Sequence, residues 1–479
     1  MIAVRPIALA GFTLAALTTA LLGGCGGGGE DDTGPTETAQ NTPRIGLRVQ
    51  HGPSSPGAGA QEAQSTDAAD VADATDAAPD QQAAAIDAQA ESVTATARPF
   101  PYHVTYTSGA IKPNNVSQSA MDGKVTTHYN AWKTNYLRTL GGQGTWVKYD
   151  DTNSTVSEAH GYGMVLAAYM GDKTNFDSMY GYFTKHYSSN GPHLMSWKQT
   201  YSGGVMKNVE GNDSATDGDL DIAYSLLLAH VQWGSSGSIN YQARALEVMH
   251  DILKYEVNST YWNLTPGDWA SGGDANHTRP SDFMTGHILA FAKYDSANAS
   301  KWNNVYNTIS QAVNYQYGHG SGSTGLMPDF MVRSGSNWVP VSGTYLESKH
   351  DGDFNYNSCR TPWRLAMSWL NNGKTDMLAP QQKMASWIKG KTSGKPTGIR
   401  AGYYVKNGTN GSSYVNYDDL SFTAPMAVNA MMGGSGAQSW LNSLWTSITG
   451  GNYGTKVDYF GDAIRMHVLL TVSGNWWTP

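Results

Sequence analysis

The chain has 479 residues and a formal charge of −8, from 31 Lys and Arg against 39 Asp and Glu. The acidic excess lies in residues 1–98, which hold four Arg, no Lys and twelve acidic residues, so residues 99–479 balance 27 basic against 27 acidic groups. Such a balance excludes a basic field that would recruit nucleic acid, and a single cysteine beyond residue 98, Cys359, excludes an intramolecular disulfide there.

Residues 1–25 have Arg5 as a short basic start, an apolar run from Ile7 to Leu22 and then Gly23-Gly24-Cys25, the outline of an export signal. The run falls short of the roughly 20 apolar residues of a membrane-spanning helix. Leu22-Gly23-Gly24-Cys25 resembles the bacterial lipoprotein box, which implies lipidation of Cys25 and membrane contact through that anchor alone. Residues 26–98 contain no Phe, Trp or Tyr and are rich in Ala, Asp, Gln, Gly, Pro and Thr, so they read as a disordered acidic tether. Residues 99–479 then form one domain, its stability supplied by a large core.

Within it, apolar residues recur at three-and-four spacing and alternation of strand type is weak. The pattern predicts helices over 117–139, 157–170, 173–186, 217–233, 240–256, 281–296, 298–313, 361–371, 377–388, 420–432, 437–448 and 456–473. Long connections at 187–216, 257–280, 314–360 and 389–419, rich in Gly, Ser, Asn, Trp and Tyr, are where function is expected. The fold class is all-α, with helix pairs closing into a toroid that carries a groove at one end.

Three segments stand out chemically. Ala215 to Trp233 places Asp217, Asp219 and Asp221 against an apolar helix, a costly arrangement unless the charges are used or satisfied. A calcium loop fails there, because Ile222 stands where Gly is needed and Leu228 where a bidentate Glu is needed. Zinc-ligand spacing, a Gly-x-Ser-x-Gly elbow and a phosphate-binding Gly-x-x-x-x-Gly-Lys are also missing, so neither metal nor cofactor is expected. That leaves acid–base work by carboxylates.

Glu is scarce beyond residue 98: Glu158, Glu210, Glu247, Glu256 and Glu347. Glu247 and Glu256 fall on a periodic helix and read as a solvated face. Glu158 opens a helix in Ser157-Glu158-Ala159-His160-Gly161-Tyr162-Gly163, where two glycines permit close approach of other groups. Tyr345 to Arg364 joins loop carboxylates, including Glu347, Asp351 and Asp353, to the helix start at Arg360, with Tyr356 and Asn357 between; Cys359 reads as a buried inert thiol. Trp146, Trp197, Trp262, Trp269 and Trp338 offer flat apolar faces with polar tips, suited to stacking on sugar rings, so carboxylates and aromatics together point to a polysaccharide.

At these residues the chain resembles glycoside hydrolase family 8. Ala215 to Trp233 fits that family's signature at every constrained position, and Ser157 to Met164, Asn357 to Arg364 and Ser473 to Trp477 are similar too. The resemblance implies an (α/α)6 barrel and endo hydrolysis of β-1,4-linked glycans with inversion, in which two carboxyl groups stand roughly 6.5–9.5 Å apart with water between. It makes Glu158 the general acid, places Asp217 at the distorted sugar, and has Arg360 line the same subsite. Where many members have a base Asp this chain has Asn357, and an amide cannot take a proton from water. A subgroup with this Asn uses a Glu from the preceding loop, which corresponds to Glu347; Asp351 and Asp353 are the alternatives. Chitosan and β-glucans are the implied substrates ahead of xylan, the rival being a non-catalytic glycan-binding protein. Trp146, Trp197, Trp269, Tyr356, Asn357 and Arg360 are the expected substrate contacts, and the protein is expected to be a monomer.

Overall fold

The computed structural model describes residues 96–150, 153–405, 411–451 and 453–479. The export signal, Cys25 and nearly all of the acidic tether lie outside the described residues.

The described chain is mostly helical. Helix α1 (Gln118–Tyr136) starts on Ser117, whose side chain accepts from the Ala120 N–H. There follow α2 (Ser157–Tyr169), α3 (Lys173–Phe183), α4 (Thr216–Trp233), α5 (Tyr241–Asp251), α6 (Thr285–Tyr294), α7 (Ala299–His319), α8 (Thr361–Arg364) and α9 (Met367–Asn372). The last are α10 (Leu378–Lys391), α11 (Leu420–Thr423), α12 (Pro425–Ala430), α13 (Gln438–Thr446) and α14 (Tyr459–Val472). Each of the twelve predicted helices is present. Two of them are interrupted for identifiable reasons. Pro425 has no N–H to continue the ladder between α11 and α12. Between α8 and α9, the Thr285 hydroxyl inserts itself, donating to Arg364 O (3.0 Å) and accepting from Ser368 N (3.2 Å).

Helices α2 and α4 are buried over nearly their whole length, as expected of helices without a polar face. Packing runs α2 to α4, α4 to α6, α6 to α9, α8 to α12, α12 to α14, and α14 back to α2. Helices α3, α5 and α7 each pack on the member of that series preceding them in sequence, α10 and α13 pack on α12, and α1 packs on α14. The tightest crossing is α2 on α4. A Cβ on Gly161 would meet Asp221 Cβ at 2.8 Å, and one on Gly218 would meet the Ser157 carbonyl carbon at 2.5 Å. These glycines let the first turns of α2 and α4 touch, setting Glu158 beside Asp217.

Alternation in the sequence was too weak to predict strands, but the long connections form three small antiparallel sheets. They are β1 (Leu137–Leu140) with β2 (Gly144–Val147), then β3 (Ser154–Val156), β4 (Lys198–Ser202) and β5 (Val205–Asn208) in order, and β6 (His277–Thr278), β7 (Met331–Ser334) and β8 (Asn337–Pro340) in order. Strands of two to five residues are too short to show a period.

The expected solvated position of Glu256 is wrong. Helix α5 continues as a wider π turn over Ile252–Glu256, which shifts the register of the last residues relative to an α-helix. Glu256 is consequently fully buried. Glu247, also expected on a solvated face, keeps only 14% of its side chain exposed and pairs with Arg244 at 2.9 Å.

Candidate active site

A cleft is lined by the starts of α2 and α4 and by the loops that carry Trp197, Pro266, Trp269, Arg279, Leu346, Glu347 and Asn357. Four of the sequence-predicted residues, Glu158, Asp217, Glu347 and Asn357, meet there although they come from three distant segments.

Arg360, in a turn leading into α8, ties them together. Its Nη1 donates to Glu158 Oε2 at 2.5 Å and to Asp217 Oδ2 at 3.0 Å, and its Nη2 donates to Asn357 Oδ1 at 2.8 Å. Asn357 Nδ2 in turn donates to Glu347 Oε2 at 2.9 Å. Glu158 and Glu347 are therefore separated by one guanidinium and one carboxamide in a continuous hydrogen-bonded chain. Asp217 is bridged from its other side by Arg279 Nη2, 2.9 Å from Oδ1.

Burial dominates the protonation of both glutamates. It pushes Glu158 up to about 7, helped by the negative charge of Asp217, while Arg360, the Tyr459 hydroxyl (3.1 Å from Oε1) and Arg279 oppose the rise. Glu347 is pushed up to about 8 by burial and by the carboxyl of Asp329, against the Asn357 hydrogen bond and the Arg279 charge. Part of the Glu347 surface faces the cleft, where solvent offsets some of that burial. Asp221 behaves oppositely. Although burial alone would raise it, Arg364 (2.5 Å) and His287 (2.8 Å) hold its carboxyl well below the usual range. It works as a structural ion pair one turn inside α4.

Asp219, also expected to be structural, accepts the Met195 N–H at 2.7 Å and faces Glu256 in the interior. Asp351 and Asp353 are engaged elsewhere. The Asp351 carboxylate accepts the backbone N–H groups of Tyr345, Leu346, Glu347 and Ser348 at 2.7–3.0 Å and so shapes the loop that presents Glu347. Asp353 bonds His350 Nδ1 (3.0 Å) and accepts the Val405 N–H (3.1 Å).

Of the aromatics, Trp197 and Trp269 line the cleft. Trp146 instead sits in the hydrophobic core on β2, as does Trp338 on β8. Tyr356 donates its hydroxyl to Asp419 at 3.1 Å and packs edge-on against Phe422. Cys359 is buried and free.

Sequence reasoning missed Arg279, Asp282, Tyr459 and Asp329. Asp329 accepts the N–H groups of Asn355, Asn357 and Ser358 at 3.0, 3.2 and 2.7 Å, fixing the turn that carries Asn357 and Arg360. Tyr459 and Asp282 lie in segments predicted as helices, where the apolar pattern gives them no special mark; Arg279 and Asp329 sit in connections, and there the available signal was a charged residue inside an otherwise apolar or turn-forming stretch, as in Thr278-Arg279-Pro280-Ser281-Asp282. The assembled site offers one carboxyl held protonated near neutrality, a second across a guanidinium–amide bridge, and flat aromatic walls. It is suited to protonating a leaving oxygen on one side of a bond while activating water on the other.

The sequence pattern of glycosyl hydrolases family 8 matches residues 98–473. A β-glucanase of Niallia circulans is 46% identical over 80% of this chain and 91% of its own length, and an endoglucanase of Bacillus sp. (strain KSM-330) is 35% identical over 82% and 84%. Among solved structures, the apo form of a β-1,3-1,4-glucanase from Paenibacillus sp. X4 superposes with a TM-score of 0.76 at 45% identity, covering 80% of this chain and all of that one.

Proposed function

The chain belongs to glycoside hydrolase family 8, and on that premise we propose that it is an inverting endo-β-glucanase acting on β-1,4- and mixed β-1,3-1,4-linked glucans. The cyclic packing of α2, α4, α6, α8–α9, α11–α12 and α14, with α1, α3, α5, α7, α10 and α13 packed against members of that series, is read as an (α/α)6 barrel. The hydrogen-bonded chain Glu158–Arg360–Asn357–Glu347 carries the mechanistic reading. Glu158, raised by burial, protonates the glycosidic oxygen. Glu347 takes a proton from the water that attacks C1 from the opposite face. Because the guanidinium and carboxamide keep the two carboxyls out of contact, there is room for that water, as inversion requires. Asp217 stabilises the positive charge that develops at the sugar ring, held in place by Arg360 and Arg279. Asn357 orients the base instead of acting as one.

The names of the relatives support a glucan substrate. Export with a lipid anchor at Cys25 is part of the proposal, supported by Leu22 to Cys25. Loss of detergent-phase partitioning in Cys25→Ser is the expected result, and unchanged partitioning would count against it.

Reducing-end release from mixed-linkage glucan, carboxymethylcellulose, xylan and chitosan, with the first product's anomer read by NMR, tests the function. We expect release on the first two and an α-anomer product. Glu158→Gln and Glu347→Gln should each lose turnover by roughly three orders of magnitude and keep polymer binding. Wild-type turnover by either mutant would remove its residue from the mechanism. Binding without release by the wild type on all four polymers would favour a non-catalytic glycan-binding protein.

A further inference from the structure

Arg279 is a buried guanidinium whose fork is divided between two carboxylates with different tasks. Its Nε donates to both Asp282 oxygens, at 3.0 and 3.1 Å, and its Nη2 meets Asp217 Oδ1 at 2.9 Å. Asp282 is fully buried and does not border the cleft, whereas Arg279 and Asp217 both do. The arrangement follows from local sequence: Pro280 opens a single 3₁₀ turn over Pro280–Asp282 that brings Asp282 back under Arg279. Asp282 is thus a brace and Asp217 the working partner. The charged groups facing Arg279 are Asp217, Asp282, Glu347 and Glu158, with Arg360 opposing it.

We propose that Arg279, braced by Asp282, is a positioning residue for the hydrolysis. It would clamp Asp217 against Arg360 and provide the positive charge that favours the ionised form of Glu347. This rests on the reading of Glu347 as the base. Arg360 holds one Asp217 oxygen by a hydrogen bond at 3.0 Å and Arg279 holds the other by an ion pair at 2.9 Å, so the carboxylate is fixed from both sides. Only arginine can supply the clamp, because its planar fork reaches two acceptors in divergent directions at once and a lysine ammonium is a single point. The charge is also needed here because Asn357 leaves Glu347 with a neutral amide as its hydrogen-bonding neighbour. Burial and the Asp329 and Asp351 carboxyls push Glu347 toward its protonated, non-basic form, and Arg279, which lines the same cleft as Glu347, is the cation that opposes them.

The test is the pH dependence of kcat/KM on mixed-linkage glucan for wild type, Arg279→Met and Arg279→Lys, with thermal unfolding as the folding control. The base must be ionised and the acid protonated, and the Arg279 charge lowers both groups. Removing it in Arg279→Met should therefore move both limbs of the profile to higher pH by ~1 unit. The same variant should lower kcat by roughly 100-fold with little change in KM, because Asp217 is released. Arg279→Lys should leave the limbs where they are and lower kcat by about tenfold, since it keeps the charge and loses the fork. Unmoved limbs in a folded Arg279→Met overturn the charge role. Wild-type kcat in Arg279→Lys overturns the clamp, and this arm stands even if Arg279→Met does not fold. Glu347→Gln in the same assay separates the two ideas. Retained activity there removes the base assignment, whereas an inactive Glu347→Gln together with unmoved limbs in Arg279→Met removes the Arg279 proposal alone.

Discussion

Glu256 faces Asp219 in the interior, behind the Ser214–Asp217 segment that opens the cleft, and its Oε1 accepts the Ser214 hydroxyl at 2.5 Å. Burial, aided by the charge of Asp268 and that of Asp282, pushes Glu256 up to about 8 from 4.5, against the hydrogen bonds from Ser214 and Asp219. Burial and the Glu256 charge push Asp219 up as well. A folded-state value above the unfolded one means that the native protein binds the proton more tightly. The stability this confers is fully present below pH 4.5 and is lost as pH rises through 8. At about 1.4 kcal/mol per unit, a rise of this direction and size makes the Glu256 share a matter of several kcal/mol. Glu256→Gln keeps an acceptor for Ser214 and cannot ionise. Urea unfolding at a series of pH values should show the mutant within ~1 kcal/mol of wild type at pH 5 and more stable by several kcal/mol at pH 9, with a residual slope from Asp219. Wild-type and mutant curves that fall in parallel between pH 5 and pH 9 would refute the reasoning.

The Tyr459 hydroxyl supports the charged form of Glu158 from 3.1 Å, so Tyr459→Phe should raise the acid's pKa. The alkaline limb of the kcat profile would move up by a few tenths of a unit and the maximum rate fall a few-fold; a limb shifted downward would contradict the contact. Asp351→Asn loses the charge that four backbone N–H groups converge on. A loss of about 2–3 kcal/mol in unfolding free energy and at least roughly tenfold in kcat is expected, through displacement of Glu347. Wild-type values for both would show that the loop needs no such cradle.

The helices were legible because each carries its apolar residues in its own sequence, as a repeating stripe or, in α2, α4 and α14, over nearly the whole length. What the sequence left out was supplied by distant groups. The break before α9 depends on the Thr285 hydroxyl, 83 residues before Ser368 in the chain. The burial of Glu256 depends on a π turn, and a heptad-like pattern cannot distinguish one extra residue in a turn from a continuing α-helix. Trp146 and Trp269 look equally suited to stacking on a sugar in sequence, yet one is core and the other cleft wall, because only packing decides which side of a strand or loop faces inward.

The site divides along the same line. Glu158 and Asp217 could be found because each opens a buried helix and each helix carries, at Gly161 or Gly218, the glycine that allows the two first turns to touch. Both the carboxylates and the cause of their proximity are written locally. The groups that set their protonation are not. Arg279, Arg360 and Tyr459 come from three different segments, and a buried arginine becomes interpretable only when its partners are known, since an unpaired guanidinium inside the protein would be prohibitively costly. The same argument applies to Asn357. As a lone departure from the expected carboxylate it permits loss of function, but with its Nδ2 on Glu347 and its Oδ1 held by Arg360 it is a fully satisfied spacer between two carboxyls. An Asp at 357, ionised and 2.9 Å from Glu347, would set two negative charges in contact and raise one of them further. The amide is thus the form compatible with a glutamate base in this loop, and restoring the carboxylate by Asn357→Asp should impair the enzyme rather than improve it.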